Sequence, residues 1–316
     1  MIRILANDGI NPDGKKMMED AGMEVITDKV EQVDLIDELN HFDGILVRSA
    51  TQIRKDLIDG CPKLKLIGRG GVGMDNIDVT YAREKGIKVV NTPAASSESV
   101  AELALAHLMT CVRFLADANR KMPAEGHSNF SALKKQFSKG KEVRGKTIGI
   151  IGFGRIGQSF ARLCLGLGMK VIAYDPFVEE AVLSLPIVGL NHHPELTVKT
   201  IPFDDVLVQS DFISLHVPAG KHPIIDKTSL SKMKDGVILI NASRGGVVDE
   251  TALIEALDVG KVSFAGMDVF INEPKPRAEI LQHSKVSLTP HIGASTEEAQ
   301  QRVWTEMAQQ VIDFFK

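Results

Sequence analysis

Residues 148–175 constrain this chain more than any other stretch. An apolar run, Ile148 to Ile151, meets Gly152-Phe153-Gly154-Arg155-Ile156-Gly157, and after an apolar-patterned segment comes Lys170-Val171-Ile172-Ala173-Tyr174-Asp175. The run reads as a buried parallel strand with glycines at its C-terminal end. Gly152 permits a tight turn, Gly154 lets backbone N–H groups approach a pyrophosphate, and Gly157 lets the next helix pack close to the strand. That helix, from about Ile156, points its partly positive N-terminus at the phosphates. Asp175 ends the following strand, where a carboxylate can accept hydrogen bonds from ribose hydroxyls. Glycines alone punctuate many turns; here strand, helix, second strand and terminal acid come in the order a dinucleotide requires. The Asp175 charge repels a 2′-phosphate and Pro176-Phe177 offers no arginine to attract one, so the residues favour NAD over NADP.

At 316 residues the chain is long enough for two domains, each with its own core. A net charge of −4 gives no general attraction to nucleic acid or anionic lipid, so neither is expected as a partner. Cys61, Cys111 and Cys164 show no paired spacing and no nearby histidine cluster, which reads as reduced, buried thiols without a metal or disulfide role. The N-terminus starts directly as a strand, without a signal-peptide layout. The most apolar helix, Val100 to Leu115, carries Glu102, His107 and Arg113, too short and too charged to span a bilayer. A cytoplasmic location is the expectation.

Short β-rich runs alternate with helical patterns along both halves. Strands are expected at Ile2–Ala6, Glu24–Thr27, Gly44–Arg48, Leu64–Gly68 and Ile87–Asn91, then near 148–151, 170–174, 211–217, 237–241, 263–267 and 286–289. Helices are expected near 12–21, 32–39, 52–59 and 77–85, then near 156–168, 203–209, 229–234, 250–258 and 278–282. A long helix from about Ser97 to Lys121 and a basic, irregular Lys134–Lys146 stretch separate the two series. A last helix runs from about Thr296 to Phe315. Such alternation predicts parallel doubly wound sheets with functional groups at strand C-termini. The nucleotide-binding unit therefore lies in the middle of the chain, with crossings near 92–98 and 290–296.

Three polar residues stand at such strand ends in the second half: Arg244 in Asn241-Ala242-Ser243-Arg244-Gly245-Gly246, Glu273 in Asn272-Glu273-Pro274, and His291 in Pro290-His291-Ile292. The small residues around Arg244 would let a ligand come close. A nicotinamide enzyme acting on a hydroxy acid needs these three groups. An imidazole can take the hydroxyl proton at neutral pH, and a neighbouring carboxylate favours the imidazolium. A guanidinium can grip a carboxylate with two hydrogen bonds and polarise the adjacent oxygen.

With these motifs the chain resembles the NAD-dependent D-2-hydroxyacid dehydrogenases, most closely their D-3-phosphoglycerate dehydrogenase branch. The resemblance runs through Gly68-Arg69-Gly70-Gly71-Val72-Gly73-Met74-Asp75-Asn76-Ile77-Asp78, Asn91-Thr92-Pro93, the glycine motif, Leu215-His216-Val217-Pro218, and Asn241 to Asp249. It continues through Asp268-Val269-Phe270 and Thr289-Pro290-His291-Ile292-Gly293-Ala294-Ser295-Thr296. It implies that Arg244, Glu273 and His291 form the catalytic set and that Asp268 holds the nicotinamide carboxamide. It also implies cofactor contacts from Arg155, Ile156, Asp175, Val217, Ala242 and Gly293, with His216, Pro218, Ser243, Arg244, His291 and Ala294 in the same lining. The implied fold class is α/β, with a Rossmann-type NAD-binding domain over residues 97–291. It is inserted in a flavodoxin-like substrate domain made of 1–96 and 292–316.

Backbone N–H groups of Gly71, Val72 and Gly73 would receive the substrate carboxylate, as a glycine-rich anion nest does. Arg48 and Arg69, which follow strands of the first domain, would suit a distal phosphate on a short hydroxy acid. The reaction implied is oxidation of 3-phosphoglycerate to 3-phosphohydroxypyruvate, in serine biosynthesis. A glyoxylate/hydroxypyruvate or D-lactate reductase is the alternative, because many relatives acting on glyoxylate or hydroxypyruvate also carry an arginine at the Arg48 position. A formate dehydrogenase is disfavoured, since that branch carries Gln where this chain has Glu273. A redox-sensing corepressor-like protein on the same scaffold is the remote alternative.

The chain stops at Lys316, so the C-terminal regulatory domain of many serine-pathway members is not expected. Residues 122–146 also lack the tryptophan many relatives place before the glycine-rich strand. The helix from Ser97, rich in Ala, Leu and Met, reads with the family resemblance as half of a two-fold interface, giving a homodimer through the NAD-binding domains.

Overall fold

The computed structural model describes residues 1–316, which divide into two units: Met1–Ser97 with Ala294–Lys316, and Glu98–Gly293. The first unit opens with five strands, β1 (Arg3–Ala6), β2 (Glu24–Ile26), β3 (Gly44–Val47), β4 (Leu66–Arg69) and β5 (Lys88–Asn91). Between them lie helices α1 (Pro12–Asp20), α2 (Leu35–Glu38), α3 (Lys55–Gly60) and α4 (Val79–Glu84). All pairings are parallel and the strand order is β2-β1-β3-β4-β5, the flavodoxin-like order. Alternate residues of each strand feed opposite faces. Leu5, Ile45, Val47, Ile67 and Val89 pack with Leu35, Leu57, Ile58 and Ala82 on one side. Ile4, Ala6, Leu46, Leu66 and Val90 form the other core. Burial on both faces is why these strands read as nearly unbroken apolar runs.

The second unit begins with α5 (Ser97–Arg113) and α6 (Leu115–Gln136). The single helix expected to Lys121 is thus two helices bent by 59°. Phe114 breaks it in a left-handed conformation (φ 58°), its ring packed edge-on against Phe264 at 5.4 Å and against Phe137 at 6.2 Å. Residues 134–136, expected to be irregular, belong to α6.

The sheet that follows contains β6 (Thr147–Ile151) and β7 (Lys170–Tyr174), joined by α7 (Arg155–Gly166). An antiparallel hairpin comes next, β8 (Glu180–Ser184) with β9 (Glu195–Lys199). Then come α8 (Phe203–Gln209), β10 (Phe212–Leu215), α9 (Lys227–Lys232), β11 (Val237–Asn241), α10 (Glu250–Asp258), β12 (Val262–Met267), α11 (Ala278–Leu281) and β13 (Val286–Leu288). The six-stranded order is β13-β12-β11-β10-β6-β7, all parallel. Outside β7 the sheet adds a single parallel bridge, Ala173 to Thr200. This is the Rossmann order with its third strand reduced to one residue, because the hairpin occupies the chain that a full strand would use. The hairpin was not expected from the sequence.

The chain then returns to the first unit as α12 (Glu297–Phe315), capped by the Thr296 hydroxyl, which accepts the Ala299 N–H at 3.2 Å. Val303, Trp304, Met307, Ala308, Val311 and Ile312 of this helix close the second core of that unit. Its backbone at Trp304 comes so close to α1 that a Cβ on Gly14 would lie 2.6 Å from the Trp304 carbonyl oxygen. No single helix of the chain is long and apolar enough to cross a membrane.

Candidate active site

Strand register puts the expected site residues of the second unit on one line. Tyr174 pairs with Ile151, Ile151 with Leu215, Leu215 with Asn241, Asn241 with Met267, and Met267 with Leu288. The residues one step beyond them are Asp175, Gly152, His216, Ala242, Asp268 and Thr289. They form a row along the C-terminal edge of the sheet, where open α/β sheets bind ligands. From Gly152 to Asp268 is three strand spacings, about 14 Å at ~4.8 Å each, a span suited to an extended dinucleotide.

The glycine turn fits that ligand. Gly152 has φ +94° and leaves no room for a Cβ beside the His216 carbonyl. A Cβ on Gly157 would overlap the Gly152 carbonyl oxygen, so only glycine lets α7 start this close to β6. Over Gly154, by contrast, a Cβ would meet nothing within 4 Å, and no side chain caps the helix there. The first N–H groups of α7 are therefore available to an anion. The Asp175 carboxylate accepts the Phe153 N–H at 2.7 Å and the Phe177 N–H at 2.8 Å. It therefore anchors the turn. His216 is held neutral, its imidazole pushed down to about 3 by burial; Nε2 lies 3.0 Å from Ser214 Oγ, and Nδ1 is buried without a partner.

Arg244, Glu273 and His291 all fall within the second unit. His291 Nδ1 lies 2.7 Å from Glu273 Oε2, and Glu273 Oε1 accepts the Phe270 N–H at 2.8 Å. Burial alone would raise the Glu273 carboxyl. The hydrogen bonds from His291 and Phe270, with the nearby His291 and Arg244 charges, hold it below the usual carboxylate range. An ionised Glu273 accepts only, so Nδ1 of His291 carries the proton and Nε2 is left for another partner. The Arg244 guanidinium also donates from Nη1 to the Ser243 carbonyl at 2.7 Å. Ser243 donates both its N–H and its hydroxyl to Asn241 Oδ1, which pins the turn.

Gly245, directly after Arg244, has a different reason from the one expected. A Cβ on Gly245 would overlap the Phe270 carbonyl, so this glycine admits the Phe270–Ile271 backbone rather than a ligand. The Arg244 turn and the Glu273 turn are thereby packed against each other.

His291 and Asn272 both have positive φ, 54° and 62°. A left-handed non-glycine residue costs about 1–3 kcal/mol and persists only where its surroundings impose it. At His291 the surroundings are Asp268, which is 1% exposed. The Asp268 carbonyl accepts the His291 N–H at 2.8 Å, Oδ1 the Ile292 N–H at 2.8 Å, and Oδ2 the Gly293 N–H at 2.9 Å. Two residues that sequence reading passed over also serve these turns. Glu250, 1% exposed at the start of α10, accepts the Ile271 N–H at 2.7 Å. His107 on α5 lies 2.8 Å from the Thr289 hydroxyl. As an acid in a helix's first turn and a histidine in an apolar helix, they had carried no signal beyond a charge and a core residue.

In the first unit, Arg48 follows β3 in a turn closed by Asp8, whose carboxylate accepts the Arg48 N–H at 2.6 Å and the Thr51 hydroxyl at 2.6 Å. Its guanidinium is half-buried and makes no hydrogen bond or ion pair with another side chain; burial weighs against its charge and Asp8 supports it. Arg69 lies folded over Gly71, donating to the Gly70 carbonyl at 3.3 Å. The expected anion nest is smaller than three residues, because the Gly71 N–H is already donated to the Thr92 hydroxyl at 2.8 Å. Val72 and Gly73 remain for that role.

The family profile described as "D-isomer specific 2-hydroxyacid dehydrogenase, NAD binding domain" matches residues 105–293. The chain belongs to the D-isomer-specific 2-hydroxyacid dehydrogenase family. It is similar to a hydroxypyruvate reductase of Thermotoga maritima, 44% identical over 98% of this chain and 97% of that protein. It is also similar to a D-3-phosphoglycerate dehydrogenase of Archaeoglobus fulgidus, 40% identical over all of this chain, which spans 58% of that longer protein. Among solved structures it resembles the D-lactate dehydrogenase of Aquifex aeolicus complexed with NAD and lactic acid. That likeness has a TM-score of 0.78 and 31% identity, covering 99% of this chain and 95% of that one. The 2-hydroxyacid dehydrogenase domain defined by the glycine turn is thus an NAD-binding domain, and the chain is an oxidoreductase of this family.

Proposed function

We propose that this dehydrogenase interconverts 3-phosphoglycerate and 3-phosphohydroxypyruvate, with His291, Glu273 and Arg244 as its catalytic set. The observation that carries the chemistry is the 2.7 Å pairing of His291 with Glu273 on the sheet edge that holds the glycine turn. NAD, when bound, supplies a hydride acceptor or donor at its nicotinamide ring. The Nε2 atom of His291 takes the substrate's hydroxyl proton in oxidation and returns it in reduction. Glu273 fixes the tautomer that leaves Nε2 free and stabilises the imidazolium when the proton is held. Arg244 binds the carboxylate next to the reacting carbon and polarises its oxygen. Asp268, whose Oδ2 accepts one backbone N–H, keeps acceptor capacity for the nicotinamide carboxamide.

For the substrate's distal end, the support is the Arg48 guanidinium, half-buried and without a side-chain ion pair. A charged group desolvated in this way favours a dianionic ligand. Val72 and Gly73 offer N–H groups for the carboxylate. A second reading, hydroxypyruvate reduction, is favoured by the near full-length similarity to the Thermotoga protein.

The test is NADH oxidation with phosphohydroxypyruvate, hydroxypyruvate, glyoxylate and pyruvate, in wild type and Arg48→Ala. The proposal expects phosphohydroxypyruvate to lead by at least about tenfold in kcat/KM and Arg48→Ala to abolish that lead. Equal losses on phosphorylated and unphosphorylated acids would give the substrate assignment to the second reading. Flat traces on every acid would leave an NAD-sensing binding protein. The assembly proposed is a homodimer through α5, and a monomer mass by light scattering at micromolar concentration would refute it.

A further inference from the structure

We infer that His107 is a positioning residue of this site: as its neutral Nε2–H tautomer it locks the Thr289 hydroxyl onto Asp268 and so fixes the loop that presents His291. The inference rests on the role given to His291 above, but its geometry stands apart from that role.

The proton count around Thr289 determines the direction of each bond. Thr289 Oγ1 lies 2.6 Å from Asp268 Oδ1, an oxygen that already accepts the Ile292 N–H. The one hydroxyl proton of Thr289 therefore goes to Asp268. His107 Nε2, 2.8 Å from the same hydroxyl oxygen, must then be the donor. A neutral imidazole has a single N–H, so Nδ1 accepts, and its neighbour at 2.9 Å is the Ser287 hydroxyl, which can donate. Every polar atom of the chain Ser287–His107–Thr289–Asp268 is satisfied with the ring neutral. A cationic ring would instead donate to the Ser287 hydroxyl oxygen, so the contacts set the Nε2–H and burial sets the charge.

Burial agrees. His107 is 3% exposed, and burial lowers its imidazole against the opposing pull of Asp268, the charged group that faces it. The approach of α5 is also built in. A Cβ on Gly266 would lie 2.6 Å from the His107 Cβ, so only a glycine in β12 lets this helix bring the ring within reach of Thr289. Downstream, Asp268 holds the backbone N–H groups of His291, Ile292 and Gly293. A tilt of its carboxylate would free the Ile292 and Gly293 N–H groups, which fix the chain directly after left-handed His291.

The test combines three readouts on the full chain. In ¹⁵N-histidine spectra, the ring signals lost in His107→Leu should show the Nε2–H tautomer and stay unchanged through the range near pH ~6.5 where free imidazole titrates. In hydrogen exchange, the amides of residues 292 and 293, which the Asp268 carboxylate accepts, should exchange faster in Thr289→Val and in His107→Leu than in wild type. In steady state, both variants should lose about tenfold or more in kcat at a temperature well below the melting temperature of each, so that unfolding does not account for the loss. His107→Gln, whose amide can donate to Thr289 and accept from Ser287, should recover most of that loss. The double variant His107→Leu/Thr289→Val should be no worse than the worse single one. An Nδ1–H tautomer, or unchanged exchange at residues 292 and 293 in both variants, would overturn the inference. Should the wild type reduce no 2-oxo acid, the dehydrogenase role would fall, and the tautomer and exchange results would still decide whether His107 locks the loop.

Discussion

Replacing Glu273 with glutamine tests the catalytic pair at nearly constant shape. The amide carbonyl can keep the Phe270 N–H that Glu273 Oε1 accepts at 2.8 Å. Its NH₂ group then faces His291 Nδ1, where the wild type has a carboxylate at 2.7 Å. A hydrogen bond to a charged group is worth about 1.5–3 kcal/mol. The side chains are 40% and 33% exposed, so solvent screening puts this pair at the low end, about 1.5 kcal/mol. That corresponds to about tenfold in kcat/KM. The tautomer adds to it: an N–H donor from Gln makes Nδ1 the acceptor and puts the ring proton on Nε2, the wrong state for a base. Because the overall equilibrium is fixed, kcat/KM must fall by the same factor for oxidation and reduction at one pH.

The assay is NADH absorbance in both directions, with NADH affinity measured separately by fluorescence. A fall of about tenfold or more with cofactor affinity retained is expected. The pH dependence of stability gives an independent readout of the same pair. Glu273 is held below its usual range, so its contribution is present above the ordinary carboxylate pKa and is lost as pH falls through the lowered value. The stability advantage of wild type over the Gln variant should therefore shrink in acid. Activity within about twofold of wild type would refute the orienting role of Glu273.

Two further perturbations probe the edges of the account. Asp175→Asn keeps an acceptor for Phe153 but removes the charge beside the ribose position; the ratio of NADH to NADPH specificity should fall by about tenfold or more, ~1.4 kcal/mol, and an unchanged ratio would contradict the NAD assignment. Glu250→Gln tests the buried acid of α10. Burial raises the Glu250 carboxyl, only partly offset by the Ile271 N–H and Arg277, so wild type should lose stability relative to the Gln variant as pH rises from the ordinary carboxylate value through the raised one. A melting-temperature difference that is flat across that window would show that the acid titrates as in the unfolded chain.

The strands were legible because parallel strands buried on both faces are apolar runs, and β6, β7, β11 and the helices between them fall within a few residues of where the sequence puts them. The helix break at Phe114 carries no glycine or proline; packing of its ring on Phe264 and Phe137, from distant chain, decides it. Pro123 sits inside α6, where a sequence reader expects a stop. The hairpin of β8 and β9 does have a period-2 signal, Ala181/Leu183 and Leu196/Val198. With only Leu183 and Val198 buried, that signal is short. At the site, motifs pointed to Arg244, Glu273, His291 and Asp268. Their supporting groups were hidden because Glu250 and His107 act on backbone and hydroxyl partners far away in sequence.

The central claim is that His291, held by Glu273, moves the substrate proton. Replacing His291 by alanine and measuring turnover on the best 2-oxo acid beside NADH binding tests it most directly. The account predicts a loss of at least about 10²-fold in turnover with NADH binding intact. Near-normal turnover in that variant would contradict it.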